Sequence, residues 1–266
     1  MSAPWFTYNG KHLTFGSKIL ANELPPMTLR LLFYDSATPT FSKGSAIQAS
    51  QSPNVWDLTY NDPDWFELLA YQTSLKWVLN AGDTSSVTNT KSMFRGCKNL
   101  ESVTFFDTGN VNSMERMFYE CSRLTGVPLF DTSSVTNMSR MFTDSGLKSV
   151  PLFDTSSVTS MSFMFAGCHG LTSVPLFNTS SVTNMEYMLS EGWKLTSIPL
   201  FDTSRVQFMN NTFAKCIKVE SGALALYQQV SSQAVQPIEH RYTFQDCGRD
   251  TVTGAAELAQ IPSGWK

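Results

Sequence analysis

The stretch LFDTSSVTNMSRMF, residues 129–142, decides how this chain is organised because it returns almost unchanged at residues 152–165 and 176–189. An Asp-Thr or Asn-Thr pair begins at Asp83, Asp107, Asp131, Asp154, Asn178 and Asp202, at intervals of 23 or 24 residues. A Met-Phe pair, or a close variant of it, keeps the same interval from Met93 to Thr212. Agreement at two independent landmarks indicates six tandem repeats.

Each repeat contains two apolar patterns, which predict a strand followed by a short helix. The stretch LTGVPL, residues 124–129, has the spacing L-x-x-V-x-L, and its last part alternates as a half-buried strand does. Met138, Met141 and Phe142 then follow the spacing i, i+3, i+4, which places them on one face of a helix. Residues 132–134 supply Ser and Thr as N-caps. Because one such unit cannot bury its apolar face alone, we expect the copies to stack into a solenoid.

The repeats resemble leucine-rich repeats, and more closely the BspA-like variety of bacterial surface proteins, whose turns carry LFDTS-x-VTNM-x-x-MF-x-x-C. Residues 129–145 follow that pattern, with Ser145 in place of the cysteine. The resemblance covers about residues 75–216. It implies an α/β repeat solenoid, a leucine-rich-repeat-like stack of strand–turn–short helix units. It also implies adhesion or recognition, which that family serves in many forms, but it names no ligand.

The chain divides into residues 1–72, 73–219 and 220–266. The first part is predicted to be a small β-rich unit that docks on a partner or caps the first repeat, because alternating runs surround Asn9-Gly10, a favoured hairpin dipeptide. Within it, residues 61–71 are interpreted as a turn and a helix start. The last part has helical composition around a degenerate seventh repeat at residues 244–247, which predicts a helical C-terminal cap.

Composition excludes several classes of function. The net charge is −3 and only 15% of residues are charged, without clustered Lys or Arg, so we expect no nucleic-acid partner. No run approaches the roughly 20 apolar residues of a membrane span, and no secretory signal peptide is visible at the N-terminus. None of the common catalytic, nucleotide-binding or zinc motifs is present. We therefore expect no membrane insertion, no enzymatic activity and no cofactor.

Two polar ladders follow the repeat. The five cysteines, Cys97, Cys121, Cys168, Cys216 and Cys247, occupy one repeat position, where Ser145 and Gly192 stand in the other copies. Without C-x-x-C pairs or neighbouring histidines, small buried side chains with free thiols are favoured over disulfides or a metal site. The aspartate ladder is either a set of acceptors for backbone N–H groups or a calcium site; Asn178 favours the acceptor, because its amide has no charge.

A phenylalanine precedes each of five ladder positions: Phe106, Phe130, Phe153, Phe177 and Phe201. Strict alternation after Val127 and Leu129, which are expected to face inward, would place Phe130 outward. Five exposed phenylalanines would form an unusually large apolar patch, so burial is favoured. If they are exposed, they mark an interface.

The residues that change between copies are candidates for recognition, because packing does not require them. The candidate contact surface is Arg116, Arg140, Phe163, Tyr187 and Trp193. Aromatic residues and arginine at solvent-facing positions are typical of binding hot spots. The alternative is that the aromatic residues are ordinary surface residues or pack on the C-terminal segment.

These observations favour a non-catalytic binding or structural module. Its layout, a small β unit before a display solenoid without an export signal, is similar to that of phage virion appendage proteins. In that setting the protein is assembled in the host cytoplasm, and the N-terminal unit binds other virion proteins or itself. The repeats then bind a host surface protein or glycan. The alternative is an adhesin on a bacterial cell surface.

Overall fold

The computed structural model describes residues 6–8, 13–15, 24, 26–34, 39, 41, 43–48, 54–104 and 106–266. The strands within these residues are β1 (Phe6–Tyr8), β2 (Leu13–Phe15), β3 (Thr28–Phe33), β4 (Ser45–Gln48), β5 (Val55–Thr59), β6 (Leu75–Ala81) and β7 (Ser102–Val103). The helices are α1 (Ala223–Ser231), α2 (Val252–Gln260) and a 3-10 helix (Ser263–Trp265). None of these helices is long and apolar enough to cross a membrane.

Three of the N-terminal strands, β3, β4 and β5, share a sheet with β6 and β7 of the repeat region. Strands β1 and β2 pair antiparallel, while the Asn9-Gly10 dipeptide predicted to join them lies outside the described residues. A second sheet has the order β4-β5-β3-β6-β7 and is open, with only β6 and β7 parallel. Because β3 pairs with β6, this sheet runs across the predicted boundary at residue 72.

Backbone hydrogen bonds join each repeat to the next. The N–H of Met114 donates to the carbonyl of Asn137 (3.0 Å), and the N–H of Phe118 donates to that of Met141 (2.9 Å). Between these donors, the N–H of Met117 turns back to the carbonyl of Met114 (3.1 Å). Parallel bridges of the same ladder continue from Asp64 to Glu239. The peptide groups of these segments are therefore satisfied alternately by the next repeat and by local turns.

The predicted short helix within each repeat is wrong. Residues 137–145 and their counterparts are consecutive β-turns, which we call the turn segments. Arg140 (φ +59°) and Asp144 (φ +56°) are left-handed, and the chain lacks there the i to i−4 hydrogen bonds of an α-helix. Alternate backbone N–H groups, which would bond to the carbonyl four residues earlier in a helix, bond instead to carbonyls of the next repeat.

The predicted helix start at residues 61–71 is also wrong, because these residues form the first turn segment. The N–H of Trp65 donates to the carbonyl of Asn89 (2.9 Å), and Glu67 is left-handed (φ +55°). At the other end, the degenerate repeat is the last turn segment: the N–H of Phe213 donates to the carbonyl of Thr243 (2.8 Å).

Among the described residues of the repeats, the predicted strand forms only once, as β7. The next four repeats place a proline where the first has Thr104: Pro128, Pro151, Pro175 and Pro199. Proline has no N–H to give to a strand ladder. Moreover, the N–H of Phe177 bonds to the carbonyl of Pro175 (3.0 Å), a three-residue turn that ends the strand alternation.

The predicted inward orientation of Leu129 is wrong, because this side chain is 59% exposed. Its counterparts are exposed as well: Leu152, Leu176 and Leu200. The following residue turns inward instead, so the ladder of Phe106, Phe130, Phe153, Phe177 and Phe201 is buried, as favoured from the sequence.

A second column of phenylalanines fills the core beneath the turn segments. Phe94, Phe118, Phe142 and Phe165 stack with their ring centroids 5.3, 5.6 and 5.7 Å apart and their planes within 5° of parallel. The buried Phe130 ring lies 6.2 Å from that of Phe118, so the two phenylalanine columns pack against each other. Repetition of one buried contact from copy to copy makes a continuous core.

The predicted helical cap is present. In the repeats, a buried threonine hydroxyl donates to the next ladder carbonyl, as Thr179 does to Asp202 (2.8 Å). Thr203 has α1 beside it instead, and the Gln233 side-chain amide donates to the Thr203 hydroxyl (2.7 Å). The Gln229 amide donates to the Phe201 carbonyl (2.7 Å). Thus α1 and Gln233, which follows it, donate hydrogen bonds to the last repeat in place of a further copy.

Candidate binding groove

The aspartate ladder serves local turns. The Asp131 carboxylate accepts a hydrogen bond from the N–H of Ser133 (3.0 Å), and the Asn178 amide oxygen accepts one from that of Ser180 (3.1 Å). The same bond is made by Asp83, Asp107, Asp154 and Asp202. Within the described residues, no three His, Cys, Asp or Glu side chains lie close enough to hold a metal ion. An uncharged amide suffices for this turn, which explains Asn178.

The cysteine ladder is buried, and its thiols are free. The Cys97 thiol donates to the Leu69 carbonyl (3.0 Å), and the Cys121 thiol donates to that of Phe94 (3.1 Å). Burial raises the pKa of Cys97, Cys168 and Cys216 to about 12. A thiol in this state is neutral at physiological pH and is a poor nucleophile.

The outer surface of the turn segments is built from three columns of residues. The outer column precedes each Met-Phe position: Arg116, Arg140, Phe163, Tyr187 and Asn211. The inner column lies four residues later: Glu120, Asp144, Gly167, Glu191 and Lys215. Both columns have left-handed backbone, with φ between +55° and +71°. Between them lies the floor column: Tyr119, Thr143, Ala166, Ser190 and Ala214.

Small floor residues leave a groove between the outer and inner columns. Its volume is about 320 Å³, its floor runs from Thr143 to Ala214, and Gln245 lines it as well. Towards the N-terminus the floor column carries larger side chains. The Arg95 guanidinium stands there, 5.3 Å from the ring centroid of Tyr71 and 5.6 Å from that of Tyr119. The groove therefore exists only where the floor side chain is small.

Three predicted contact residues are brought together on the outer column. The Arg140 guanidinium lies 4.1 Å from the ring centroid of Phe163, which stacks on Tyr187 at 4.4 Å and 10°. The faces of Phe163 are thus covered by Arg140 and Tyr187. Phe163 and Tyr187 line the groove, and their stacking leaves ring edges rather than open faces towards it.

The other two predicted contact residues, like Arg140, lie outside the groove lining. Arg116 forms an ion pair with Glu115 (2.6 Å), which also pairs with Lys91 (2.9 Å). Trp193 follows the turn segment and is 45% exposed. Its ring stacks on His169 at 3.8 Å. The predicted set is therefore divided between the groove and its surroundings.

The inner column supplies the charge of the groove. Glu191 is paired with Lys215 (2.7 Å), whereas the Asp144 carboxylate has no hydrogen-bond or ion-pair partner in the part of the chain that the structure describes. Partial burial and the nearby charges of Glu120 and Glu191 raise the pKa of Asp144, and His169 opposes this. A Cβ at Gly167 would lie 2.2 Å from Asp144 Oδ1, so glycine at 167 makes room for the Asp144 carboxylate.

Sequence reasoning missed the inner and floor columns. The signal for the floor was the series of small residues Ala166, Ser190 and Ala214 at the repeat position where Arg95 and Tyr119 stand in earlier copies. Small side chains that replace large ones at one repeat position predict a groove only when the copies are known to lie next to each other. The missed residues include Asp144 and Glu191, which carry the negative charge.

The comparisons with known proteins agree with a repeat architecture. A family model described as "Mycoplasma protein of unknown function, DUF285" matches residues 40–149, 123–225 and 145–246. No curated protein and no solved structure shows significant similarity to the chain. Because the family matches together extend over residues 40–246, the protein belongs to the DUF285 family, a repeat family of the surface-protein type.

Proposed function

We propose that the protein is a non-catalytic binding module, a leucine-rich-repeat-like solenoid that displays the groove for attachment to another macromolecule. The observation that carries this proposal is the 320 Å³ groove, which spans four repeats. Its floor and rims are made of residues that differ from copy to copy, such as Thr143, Ala166 and Ser190 on the floor. Positions that recur are those that packing requires, so the varying positions are free to specify a ligand.

The shape of the groove favours an extended ligand. Repeats joined by parallel backbone hydrogen bonds lie about 4.8 Å apart, so the floor from Thr143 to Ala214 is about 15 Å long. An elongated furrow of this length accommodates several residues of an extended chain better than a compact small molecule.

The family, which is of the surface-protein type, supports display at a bacterial cell surface. The virion setting rests on layout alone, and the pairing of β3 with β6 makes the N-terminal strands less suited to separate docking. In either setting the partner is a surface protein or glycan. Immunogold labelling of cell envelopes and of released virions distinguishes the two locations.

A cell-binding assay tests the proposed function. Fluorescently labelled protein is applied to a panel of bacterial and animal cells, before and after protease or periodate treatment. The variant Ala166→Arg fills the groove, and we expect it to lose binding. The matched control Thr159→Arg adds the same charge at an exposed residue outside the groove lining, and we expect it to bind normally. Equal binding by both variants, at unchanged melting temperatures, would contradict a role for the groove.

A further inference from the structure

The inner column carries more negative than positive charge. It carries the carboxylates of Glu120, Asp144 and Glu191 but a single cation over the same repeats, Lys215, which pairs with Glu191. Asp144 and Glu191 stand two repeats apart, about 10 Å, with Gly167 between them. The groove is therefore bordered by two carboxylates, and no side chain stands between them because the Asp144 carboxylate itself lies over Gly167. A positive charge placed in the groove beside them is attracted by both.

The chain itself places a cation on the floor column three repeats earlier. Arg95 occupies the position equivalent to Ala166, and its guanidinium lies against the rings of Tyr71 and Tyr119. At Ala166 the floor side chain is small, and the positions equivalent to Tyr71 and Tyr119 carry Asp144 and Ser190. Phe163 and Tyr187 of the outer column line the opening. The space is thus open where the chain elsewhere holds an arginine.

The outer column favours a side chain over a sugar ring. Carbohydrate recognition by aromatic residues uses an open ring face, and both faces of Phe163 are covered. Ring edges instead offer an apolar contact for the methylene stem of a long side chain, whose charged head then reaches the carboxylates. Phe163 and Asp144 stand on opposite sides of the floor, as this arrangement requires.

We propose that the groove binds the cationic side chains of an extended polypeptide, with the guanidinium of arginine or the ammonium of lysine held above Ala166, beside Asp144 and Glu191. This inference rests on the proposed function and names its ligand class. It assigns the partner as a basic peptide segment of a surface protein. Glycans and neutral peptides are the alternatives that the test must exclude.

Fluorescence anisotropy with fluorescein-labelled hepta-arginine and hepta-lysine tests this inference on the full chain. We expect saturable binding that weakens as salt is raised, because the attraction is between partly exposed charges. The isosteric variants Asp144→Asn and Glu191→Gln should each weaken binding about threefold, and together about tenfold. Lys215→Ala should strengthen it about threefold, because the ligand then no longer competes with the chain's own cation.

The matched control is the double variant Asp131→Asn and Asp154→Asn. It removes the same charge from exposed ladder positions, and at the equivalent position Asn178 is native, so folding should be preserved. We expect it to bind hepta-arginine as the native chain does. If the control weakens binding equally, the peptide responds only to the net charge of the protein and not to the groove, and the inference is overturned. Displacement of the peptide by the neutral oligosaccharide cellohexaose would also overturn it.

The inference and the proposed function fail in distinguishable ways. If Ala166→Arg abolishes cell binding but neither hepta-arginine nor hepta-lysine binds, the groove is the recognition site and the cationic ligand is wrong. If the peptides bind through Asp144 and Glu191 but no cell binds through the groove, the attachment role is wrong. Circular dichroism melting of each variant separates a change in the site from a change in folding.

Discussion

At the scale of single residues, the neighbours Leu176 and Phe177 illustrate how one local turn assigns core and surface. Leu176 is 61% exposed and Phe177 is 2% exposed. The carbonyl of Pro175 accepts the N–H of Phe177, and this tight turn directs the ring inward. Strand alternation predicts the reverse, with the leucine buried and the phenylalanine exposed, because it assumes a continuous strand. Packing logic, which disfavours five exposed rings, identified the buried residue correctly.

We expect Phe177→Ala to lower the free energy of unfolding by about 3–5 kcal/mol, because it leaves a cavity between stacked repeats. The neighbouring change Leu176→Ala should alter it by no more than about 0.5 kcal/mol, because that side chain is mostly solvated. Urea denaturation of the two variants measures both values. A comparable loss for Leu176→Ala would mean that the leucine column is covered in solution.

The ladder carboxylates predict an acid-dependent loss of stability. Hydrogen bonds from the hydroxyl and backbone N–H groups of Ser133, Ser156 and Ser204 lower the pKa of Asp131, Asp154 and Asp202 below the ordinary value of 3.8. A lowered folded-state pKa stabilises the protein above the ordinary value, and this contribution is lost as the pH falls through the folded value.

The triple variant Asp131→Asn, Asp154→Asn and Asp202→Asn tests this prediction, because Asn178 shows that the turn accepts an amide. Between pH 6 and pH 2, we expect the variant to lose less unfolding free energy than the native chain. Thermal unfolding followed by circular dichroism across that range is the measurement. Parallel pH profiles for the two proteins would show that these carboxylates do not contribute.

At the scale of elements, the turn segments explain why the core could be predicted and the backbone could not. Met138, Met141 and Phe142 are buried as the helical spacing predicted. Consecutive β-turns also advance about one turn every three to four residues, so they bury the same positions as a helix. The distinguishing signal was glycine at the inner column, Gly96 and Gly167, where the backbone is left-handed. Other copies place Glu120 or Asp144 at that column, which hid the signal.

Substitutions at Glu120 test the left-handed backbone of the turn segment directly. Glu120 has φ +59°, so Glu120→Gly should leave the unfolding free energy unchanged or raise it by up to about 1 kcal/mol. Glu120→Val should lower it by about 1–2 kcal/mol, because a β-branched residue is strained in that conformation. Urea denaturation of the pair gives the comparison. In a helix the order would be reversed, since glycine is the poorer helix former.

At the scale of the whole molecule, the groove exists because several repeats lie side by side. Sequence variation singled out Arg140, Phe163 and Tyr187, because these side chains stand out within their own repeats. Asp144, Gly167 and the floor residues are ordinary within a single repeat and acquire a role only when four copies lie side by side. A site made by stacking is therefore only partly visible in a linear comparison of copies.

Stacking also predicts how the molecule responds to deletions. Removal of residues 154–177 joins Phe153 to Asn178 and excises 24 of the 266 residues in register with the repeat. In a stacked array each repeat contacts mainly its neighbours, so we expect a folded protein with a cooperative transition. Its urea m-value should be smaller by about one tenth, in proportion to the surface buried. Because the groove floor loses Ala166, peptide binding should fall in the same variant.

Removal of residues 220–266 should have the opposite effect, although it leaves the six repeats intact. It takes away α1, in which Gln229 hydrogen-bonds to Phe201 and Thr203, and Phe244, whose ring stacks on that of Phe213 at 5.6 Å. The last repeat would then expose buried rings and unpaired backbone groups, so we expect an aggregated or unfolded chain on size-exclusion chromatography. A monomeric, cooperatively folded product would show that the repeats close their own end. An unfolded product of the in-register deletion would mean instead that distant copies depend on one another.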